Sequence, residues 1–228
     1  MSGLCDALLD TMEKTGTGAV SGVTAAAAAY LASGLPDADN LVIVTPDEDS
    51  ARSFARDLSL FLGTGKALYL PPLESIPYEN LTPDVDTAAL RVSALTSTRR
   101  GTGPVVLPAK ALLQPAPPAA VLSRWELSLR KGQQVDRDSL AEKLSIMGYR
   151  REPVVSQVGD MAIRGGILDI FSPLSDKPVR IELWGDELYS LRLFDPQTQR
   201  SGPDTDEGTI LPVTELLLDP GQRREAES

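Results

Sequence analysis

Apolar positions in the first half of the chain follow two alternating patterns. In some segments they recur every three or four residues, which predicts helices, and in others they form short continuous runs, which are typical of buried parallel strands. Helices are predicted at 4–13, 24–32, 47–63 and 88–98, and strands at 41–44, 67–70 and 104–107. Helices that alternate with strands in this order predict an α/β fold, a parallel sheet with flanking helices.

A proline-rich segment separates this half from a second half with a different pattern. Pro115, Pro117 and Pro118 can neither continue a helix nor donate hydrogen bonds to a sheet, so a domain boundary is predicted here. After it, apolar and polar residues alternate with a period of two, which predicts half-buried antiparallel strands. These strands are predicted at 125–129, 166–171, 179–184 and 187–194, with one helix at 137–147. We expect a first domain at 1–118, a small α+β antiparallel domain at 119–213, and a partly disordered tail at 214–228.

Composition excludes several classes of function. The chain has no histidine and one cysteine, which removes histidine-based zinc sites, histidine-based catalytic triads and internal disulfides. The formal net charge of −10 opposes non-specific binding to nucleic acid, which requires clustered Lys and Arg. No apolar stretch reaches the roughly 18 residues of a membrane span, and the N-terminus lacks a signal-peptide pattern. We expect a cytoplasmic protein with no metal site and no membrane partner.

Residues 22–29 have the frame of a phosphate-binding loop without its chemical groups. In the motif Gly-x-x-x-x-Gly-Lys-Ser/Thr, backbone N–H groups and the lysine bind phosphates, and the hydroxyl holds magnesium. Gly22 fills the first glycine position, but Ala27, Ala28 and Ala29 stand at the second glycine, lysine and hydroxyl positions. Methyl groups cannot neutralise a triphosphate, so we expect no catalytic residue, no cofactor and no ATP hydrolysis. The residues alone leave open a plain alanine-rich helix or a decayed nucleotide site.

Two other candidate motifs are interpreted as structural. The segment 63–66 (GTGK) runs from a helix into a strand, the reverse of the order in a phosphate-binding loop, and is interpreted as a turn that ends the helix. Asp204, Asp206 and Glu207 lie in turn-like sequence without aromatic or basic partners. They are interpreted as solvated turn residues rather than as a metal site or an acid–base pair.

The predicted strand 179–184 has two chemically different faces. Residues two apart share a face of a strand, so Arg180, Glu182 and Trp184 project together, opposite an aliphatic set. Arg and Trp are enriched among the residues that dominate protein–protein interfaces, which favours a docking face. Arg164 precedes two glycines that allow a bulge or a close backbone approach, and is expected to join this face. The alternative is an internal pair between Arg180 and Glu182, with Trp184 covering a local gap.

Several segments resemble one family of DNA-repair proteins. The segments are 70–83 (LPPLESIPYENLTP), 91–95 (RVSAL), 131–133 (KGQ), 148–149 (GY), 164–171 (RGGILDIF) and 180–188 (RIELWGDEL). Together, and in this order, they resemble the N-terminal segment of the bacterial transcription-repair coupling factors, the Mfd family. The last segment is also similar to the excision-repair helicase UvrB. The resemblance extends over most of the chain.

The resemblance implies a UvrB-homology module with two parts. Residues 1–118 would be a degenerate nucleotide-binding lobe like UvrB domain 1a, and 119–213 a domain like UvrB domain 2, which binds the damage-recognition ATPase UvrA. The family's UvrA-contacting positions fall on Arg164, Arg180 and Trp184, where Trp184 replaces the family's phenylalanine. The DNA-gripping hairpin of UvrB is missing between Pro77-Tyr78 and the predicted helix that follows, which favours the coupling factors over UvrB.

We therefore expect a non-catalytic module that recruits UvrA in transcription-coupled nucleotide excision repair. The resemblance implies that the full-length parent is an ATP-dependent DNA translocase. Expected partners are UvrA and the other domains of the parent, whereas RNA polymerase and DNA would be bound only through those other domains. The alternative is a nucleotide-dependent, DNA-binding helicase lobe related to UvrB.

Overall fold

The computed structural model describes residues 2–35, 40–63, 67–73 and 84–217. Within these ranges the helices are α1 (Ser2–Thr15), α2 (Ala25–Ser33), α3 (Glu48–Leu62), α4 (Val85–Arg100), α5 (Ala109–Leu112), α6 (Ala119–Trp125) and α7 (Arg137–Ile146). The strands are β1 (Val42–Thr45), β2 (Leu68–Tyr69), β3 (Val105–Pro108), β4 (Leu127–Arg130), β5 (Arg150–Arg151), β6 (Asp160–Arg164), β7 (Ile167–Ile170), β8 (Val179–Trp184), β9 (Glu187–Phe194), β10 (Ser201–Asp204) and β11 (Glu207–Ile210).

Contacts divide the chain into two compact units. Unit 1 comprises residues 1–73 and 94–114, and unit 2 comprises residues 74–93 and 115–228. The division after 114 lies beside the proline-rich segment, and the first half of α4 is grouped with unit 2. The functional identities that the sequence assigns to 1–118 and 119–213 stay predictions. Residues 218–228 of the predicted tail lie outside the described residues.

Unit 1 is built on a parallel sheet with strand order β1-β3-β2. Its strands are short apolar runs, and the connection from β1 to β2 passes through α3, as a parallel crossover requires. Alternate residues of β3 face opposite sides: Val106 packs with α2 and α3, while Val105 and Leu107 pack with Ala94 and Ala111. Helices therefore pack on both faces of this sheet, as the sequence predicts.

Helix α3 has the boundaries that the sequence predicts. The backbone N–H of Ser50 donates to Asp47 Oδ1 at 2.8 Å, which caps the N-terminus, and this hydrogen bond lowers the pKa of Asp47. The helix ends at Gly63, whose φ of +98° favours glycine. The rest of the GTGK motif, residues 64–66, lies outside the described residues.

Unit 2 contains a six-stranded sheet with the order β10-β9-β8-β7-β6-β5 and a separate antiparallel pair of β4 and β11. All neighbours in the large sheet are antiparallel except β5 and β6, which are parallel. The inner face is aliphatic: Leu168, Ile170, Ile181 and Leu191 are fully buried. The fold is thus mixed α/β, as predicted, while the nucleotide-binding ancestry of unit 1 stays a prediction.

Two sequence predictions in unit 2 are wrong. The strand predicted from residue 125 begins at Leu127, because Trp125 ends helix α6, where it is buried with Leu122 three residues earlier. The polar, turn-like sequence after Ser201 predicts turns, but it forms β10 and β11. Pro203 is compatible with β10 because this strand lies at the edge of the sheet.

None of the helices within the described ranges is both long and apolar enough to cross a bilayer.

Candidate functional site

Two tight hairpins position the predicted docking residues. Arg164 ends β6 and pairs with Ile167 across the turn Gly165-Gly166, while Trp184 ends β8 and pairs with Glu187 across Gly185-Asp186. Gly165 and Gly185 both have φ of +60°, which two-residue hairpins require. The expected close backbone approach occurs at Gly166, whose carbonyl accepts from the N–H of Leu183 at 2.8 Å.

The two-faced character of β8 is confirmed. Val179 and Ile181 are buried, whereas Arg180 and Glu182 are half-buried and Trp184 keeps 82% of its surface exposed. The strand register places Asp169 opposite Arg180 and Ile167 opposite Glu182. Arg164, Arg180, Glu182 and Trp184, called the docking face below, thus lie on one side of the hairpin pair.

A buried carboxylate connects the two arginines of the docking face. Asp169 is fully buried, and it accepts hydrogen bonds from Arg180 Nε at 2.7 Å and Arg180 Nη2 at 2.9 Å. Arg164 Nη2 donates to the same carboxylate at 2.5 Å. Burying a charge is costly unless an opposite charge and hydrogen bonds compensate it. The guanidinium groups of Arg164 and Arg180 supply both to Asp169.

Arg180 is held much more tightly than Arg164. Its guanidinium lies 4.5 Å from the centroid of the Phe194 ring, and Nη1 donates to Gln199 O at 3.3 Å and to Ser201 Oγ at 3.2 Å. The hydrogen bond to Asp169 raises the pKa of Arg180. The Arg180 side chain is 15% exposed and that of Arg164 48%.

Arg180 pairs across the strands rather than along its own strand. Its hydrogen-bonded ion pair is with Asp169, and Glu182 exerts a weaker electrostatic attraction that also favours the charged guanidinium. Trp184, with most of its surface exposed, does not fill a gap in the interior. The alternative of an Arg180–Glu182 pair covered by Trp184 is therefore wrong for this strand.

A second charge cluster lies on the same face, one strand further along. Asp204 of β10 accepts a short hydrogen bond from Arg192 Nε and pairs with Lys131 Nζ at 3.3 Å. These two cations lower the pKa of Asp204, with Arg192 contributing most. The interpretation of Asp204 as a residue without basic partners is wrong, because pairing of β10 with β9 brings Arg192 opposite it.

The residues of the predicted degenerate loop lead into helix α2. Gly22 has φ of +74°, and the Thr24 hydroxyl accepts from the N–H of Ala27 at 3.3 Å. Ala27 and Ala28 are half-buried, and Ala29 is buried in the apolar cluster of unit 1. The described segment 16–24 contains no strand, although a phosphate-binding loop follows one. These residues therefore offer methyl groups and a helix cap, but no group that binds a cation or neutralises phosphate.

Across the ranges that the structure describes, no cluster of three or more Cys, Asp or Glu side chains is arranged to hold a metal ion.

Asp169 and Phe194 are parts of the site that the sequence pattern does not single out. Asp169 interrupts the apolar residues of β7, and an acid inside such a strand is a signal for a buried ion pair. Its partner follows only from the register of β7 with β8. Phe194 lies at the end of β9, and its contact with Arg180 also depends on strand pairing.

Comparison with known proteins identifies the family. Residues 127–216, which include the whole docking face, match the family model described as the UvrB interaction domain. The chain is 42% identical over 196 residues to the transcription-repair-coupling factor of Myxococcus xanthus, covering 82% of this chain and 16% of that protein. It is 36% identical over 212 residues to the same factor of Mycobacterium tuberculosis (89% and 17%), and 34% identical over 180 residues to that of Staphylococcus aureus strain USA300 (78% and 15%).

The chain spans about one sixth of the length of these relatives. The matched regions nevertheless cover most of the chain at 34% to 42% identity. The chain therefore belongs to the transcription-repair-coupling factor family.

Proposed function

We propose that this chain is a non-catalytic recruitment module of transcription-coupled nucleotide excision repair, and that its docking face binds UvrA. The match of residues 127–216 to the UvrB interaction domain supports a role in protein binding for this part of the chain. The relatives are named transcription-repair-coupling factors, and this name links them to both transcription and repair. In this proposal UvrA is the direct partner, while RNA polymerase and DNA are bound by other domains of the longer relatives.

The exposure of Trp184 is the observation that carries this proposal. Trp184 is the last residue of β8, a strand whose opposite face is buried, and 82% of its surface is exposed. A large rigid aromatic in this position has much apolar surface to bury against a partner, and Trp and Arg are the residues most enriched in interface hot spots. Arg164 adds a half-exposed guanidinium that can form two parallel hydrogen bonds with a carboxylate.

The hydrogen bonds to Asp169 preorganise this face. Arg180 is fixed by its two-point pair with Asp169 and by Phe194, so little side-chain entropy remains to be lost on binding. Arg164 is bound to Asp169 by a single hydrogen bond and can exchange it for a partner's carboxylate. Asp169 then keeps Arg180 as its counter-ion, so the exchange does not leave a buried charge unpaired.

The proposal assigns no catalysis to this chain. Ala27, Ala28 and Ala29 stand where a phosphate-binding loop needs groups that bind phosphate and magnesium. We therefore interpret residues 1–118 as a degenerate nucleotide-binding lobe and residues 119–213 as the UvrA-binding domain. ATP-driven translocation would belong to the other parts of the longer relatives.

The test is titration of the purified chain with purified UvrA by calorimetry. We expect Trp184→Ala and Arg164→Ala each to weaken binding by about tenfold or more, since loss of a hot-spot side chain costs at least about 1.4 kcal/mol. Leu193→Ala is the control for Trp184→Ala, because Leu193 is a partly exposed apolar residue on the opposite face of the same sheet. Arg130→Ala is the control for Arg164→Ala, because Arg130 forms an exposed pair with Glu207.

Absence of binding by the wild-type chain, or equal weakening by the variants and their controls, would contradict the proposal. The helicase-lobe alternative is checked with the same protein by measuring ATP binding with and without magnesium. Magnesium-dependent affinity for ATP would revive that alternative and overturn the assignment of a degenerate lobe.

A further inference from the structure

The segment ahead of helix α7 pairs with the turn of the β8–β9 hairpin. Val135 N–H donates to Asp186 O at 2.6 Å, and Gln134 forms an antiparallel bridge with Glu187. These are backbone contacts, so they do not depend on any side chain of the segment. Residues 133–137, called the brace below, are therefore held beside the turn that joins β8 to β9.

The other end of the brace is anchored in the core of unit 2. The Asp136 carboxylate accepts from the N–H of Ser139 at 2.8 Å and caps α7. Leu140 and Leu144 of this helix are buried. Arg137, the first residue of α7, therefore extends from a position that the helix and the β8–β9 turn both fix.

The side chain of Arg137 reaches the turn of the other hairpin. Its Nη1 donates to Gly165 O at 3.1 Å, and its Nε donates to Asp138 Oδ1 at 2.8 Å. The planar guanidinium makes both bonds at once, and a charged donor strengthens each of them. Gly165 directly follows Arg164, the last residue of β6, so this contact holds the turn that carries a docking residue.

Arg137 makes this contact at a cleft rather than inside a packed interface. The cleft has a volume of about 280 Å³ and lies between the start of α7 and the two hairpin turns, which contribute Gly166, Gly185 and Asp186 to its lining. Among the described residues that line it, Leu183 supplies the one apolar side chain. The hydrogen bond of Arg137 therefore connects α7 to the β6–β7 turn where apolar packing contributes little.

We propose that Arg137 is a positioning residue of the docking face, which aligns Arg164 with Trp184 by connecting the two hairpin turns through the brace. This inference rests on the proposed function and assigns a role to a residue outside the docking face. Strands β6 and β8 are not neighbours, because β7 lies between them. A second connection between their ends reduces the conformational freedom that binding of UvrA has to remove.

The contacts of the brace predict which docking residue depends on Arg137. The β8–β9 turn, which follows Trp184, keeps its backbone hydrogen bond to Val135 when the Arg137 side chain is removed. The β6–β7 turn loses the hydrogen bond at Gly165 O. Removal of the guanidinium should therefore change the position of Arg164 and leave that of Trp184 unchanged.

Titrations of the purified chain with UvrA test this coupling. We expect Arg137→Ala to weaken binding by about fivefold in the wild-type background. In the Arg164→Ala background it should weaken binding by less than about 1.5-fold, because the effect acts through Arg164. In the Trp184→Ala background the loss of about fivefold should remain, since the position of Trp184 does not depend on Arg137.

Two variants are matched to Arg137→Ala. Arg137→Lys keeps the charge and a donor for Gly165 O, and should recover part of the lost affinity. Asp138→Asn removes the charge of the other partner of Arg137 but leaves the donor to Gly165 O, and should stay within about twofold of the wild type. The side chain of Arg137 is 43% exposed and that of Asp138 79%, so we expect these variants to fold.

A measurement without UvrA reports on the turn itself. The heteronuclear NOE of the backbone amides of Gly165 and Gly166 should fall in Arg137→Ala, while that of Asp186 keeps its wild-type value. Unchanged values at Gly165 and Gly166, or equal weakening of binding by Arg137→Ala with and without the Arg164 side chain, would overturn this inference. Weakening by Trp184→Ala would then leave the proposed function standing, whereas a wild-type chain that does not bind UvrA would overturn both.

Discussion

At the scale of single residues, Asp169 explains why two arginines of similar appearance in the sequence are held differently in the structure. It is fully buried and accepts two hydrogen bonds from Arg180 but one from Arg164. Arg180 therefore compensates the charge of Asp169 and is mostly buried, whereas the Arg164 side chain keeps 48% of its surface exposed. Loss of binding in an Arg180 variant would report on stability as well as on contact.

This difference predicts that replacing Arg180 by alanine destabilises the protein more than replacing Arg164 does. Arg180→Ala should lower the free energy of unfolding by about 2 kcal/mol, because a buried carboxylate loses its main counter-ion. Arg164→Ala should lower it by less than about 1 kcal/mol, since a half-exposed pair contributes little. Urea unfolding followed by tryptophan fluorescence measures both, and both tryptophans, Trp125 and Trp184, are in unit 2.

Arg180→Lys is the matched variant for this measurement. An ammonium group keeps the charge but cannot make the two-point pair with Asp169 or stack on Phe194 as a guanidinium does. It should fall between the wild type and Arg180→Ala in stability. Equal stability losses for Arg164→Ala and Arg180→Ala would contradict the division of roles.

At the scale of elements, the turn between β6 and β7 fixes where Arg164 lies. A Cβ added to Gly166 would come within 2.8 Å of the Leu183 carbonyl oxygen, a backbone atom that cannot rotate away. We expect Gly166→Ala to separate β7 from β8 near the docking face, to weaken UvrA binding and to lower the thermal midpoint by several degrees.

Gly165→Asn is the control for Gly166→Ala. Gly165 has a left-handed φ but nothing within 4 Å of an added Cβ, and asparagine tolerates this conformation better than other non-glycine residues. Differential scanning calorimetry should therefore show a smaller shift for Gly165→Asn. A midpoint for Gly166→Ala at or above that of Gly165→Asn would show that the close approach to Leu183 does not constrain the hairpin.

Also at this scale, the sequence predicts elements well where local pattern decides them. Alternation gives the limits and the faces of β8, and capping residues give the limits of α3. The local pattern does not predict β10, because a polar segment with Gly202 and Pro203 becomes a strand only through pairing with β9.

Contacts that depend on strand register likewise cannot be predicted from the sequence alone. The pairing of Asp169 with Arg180 and the exposure of Tyr189 both follow from how strands align, and a shift of one residue changes the face of every side chain. The candidate positions Arg164, Arg180, Glu182 and Trp184 could be named from the sequence. Which of them is fixed and which is exposed could not.

At the scale of the whole molecule, unit 2 combines segments that are distant in the sequence. Residues 74–93, which include the first half of α4, are grouped with it. Arg91 of α4 is buried and joins this helix to the segment after β11. Its Nε makes a short hydrogen bond to Glu215, and its Nη2 donates to Glu215 at 3.2 Å. The same segment is attached to the core of unit 2, because Val213 N–H donates to Met147 O at 2.8 Å. The Tyr149 hydroxyl donates to Leu211 O at 2.6 Å.

The ion pair of Arg91 with Glu215 should therefore be a major determinant of the stability of unit 2. Glu215→Ala removes a carboxylate from a buried guanidinium, and we expect the free energy of unfolding to fall by about 3 kcal/mol. Glu207→Ala is the control, because its pair with Arg130 is largely exposed and should contribute less than about 1 kcal/mol. Urea unfolding monitored by fluorescence follows unit 2 through the buried Trp125. The same urea midpoint for both variants would show that the segment is held by its apolar contacts, such as buried Val213 and Leu217, and not by the ion pair.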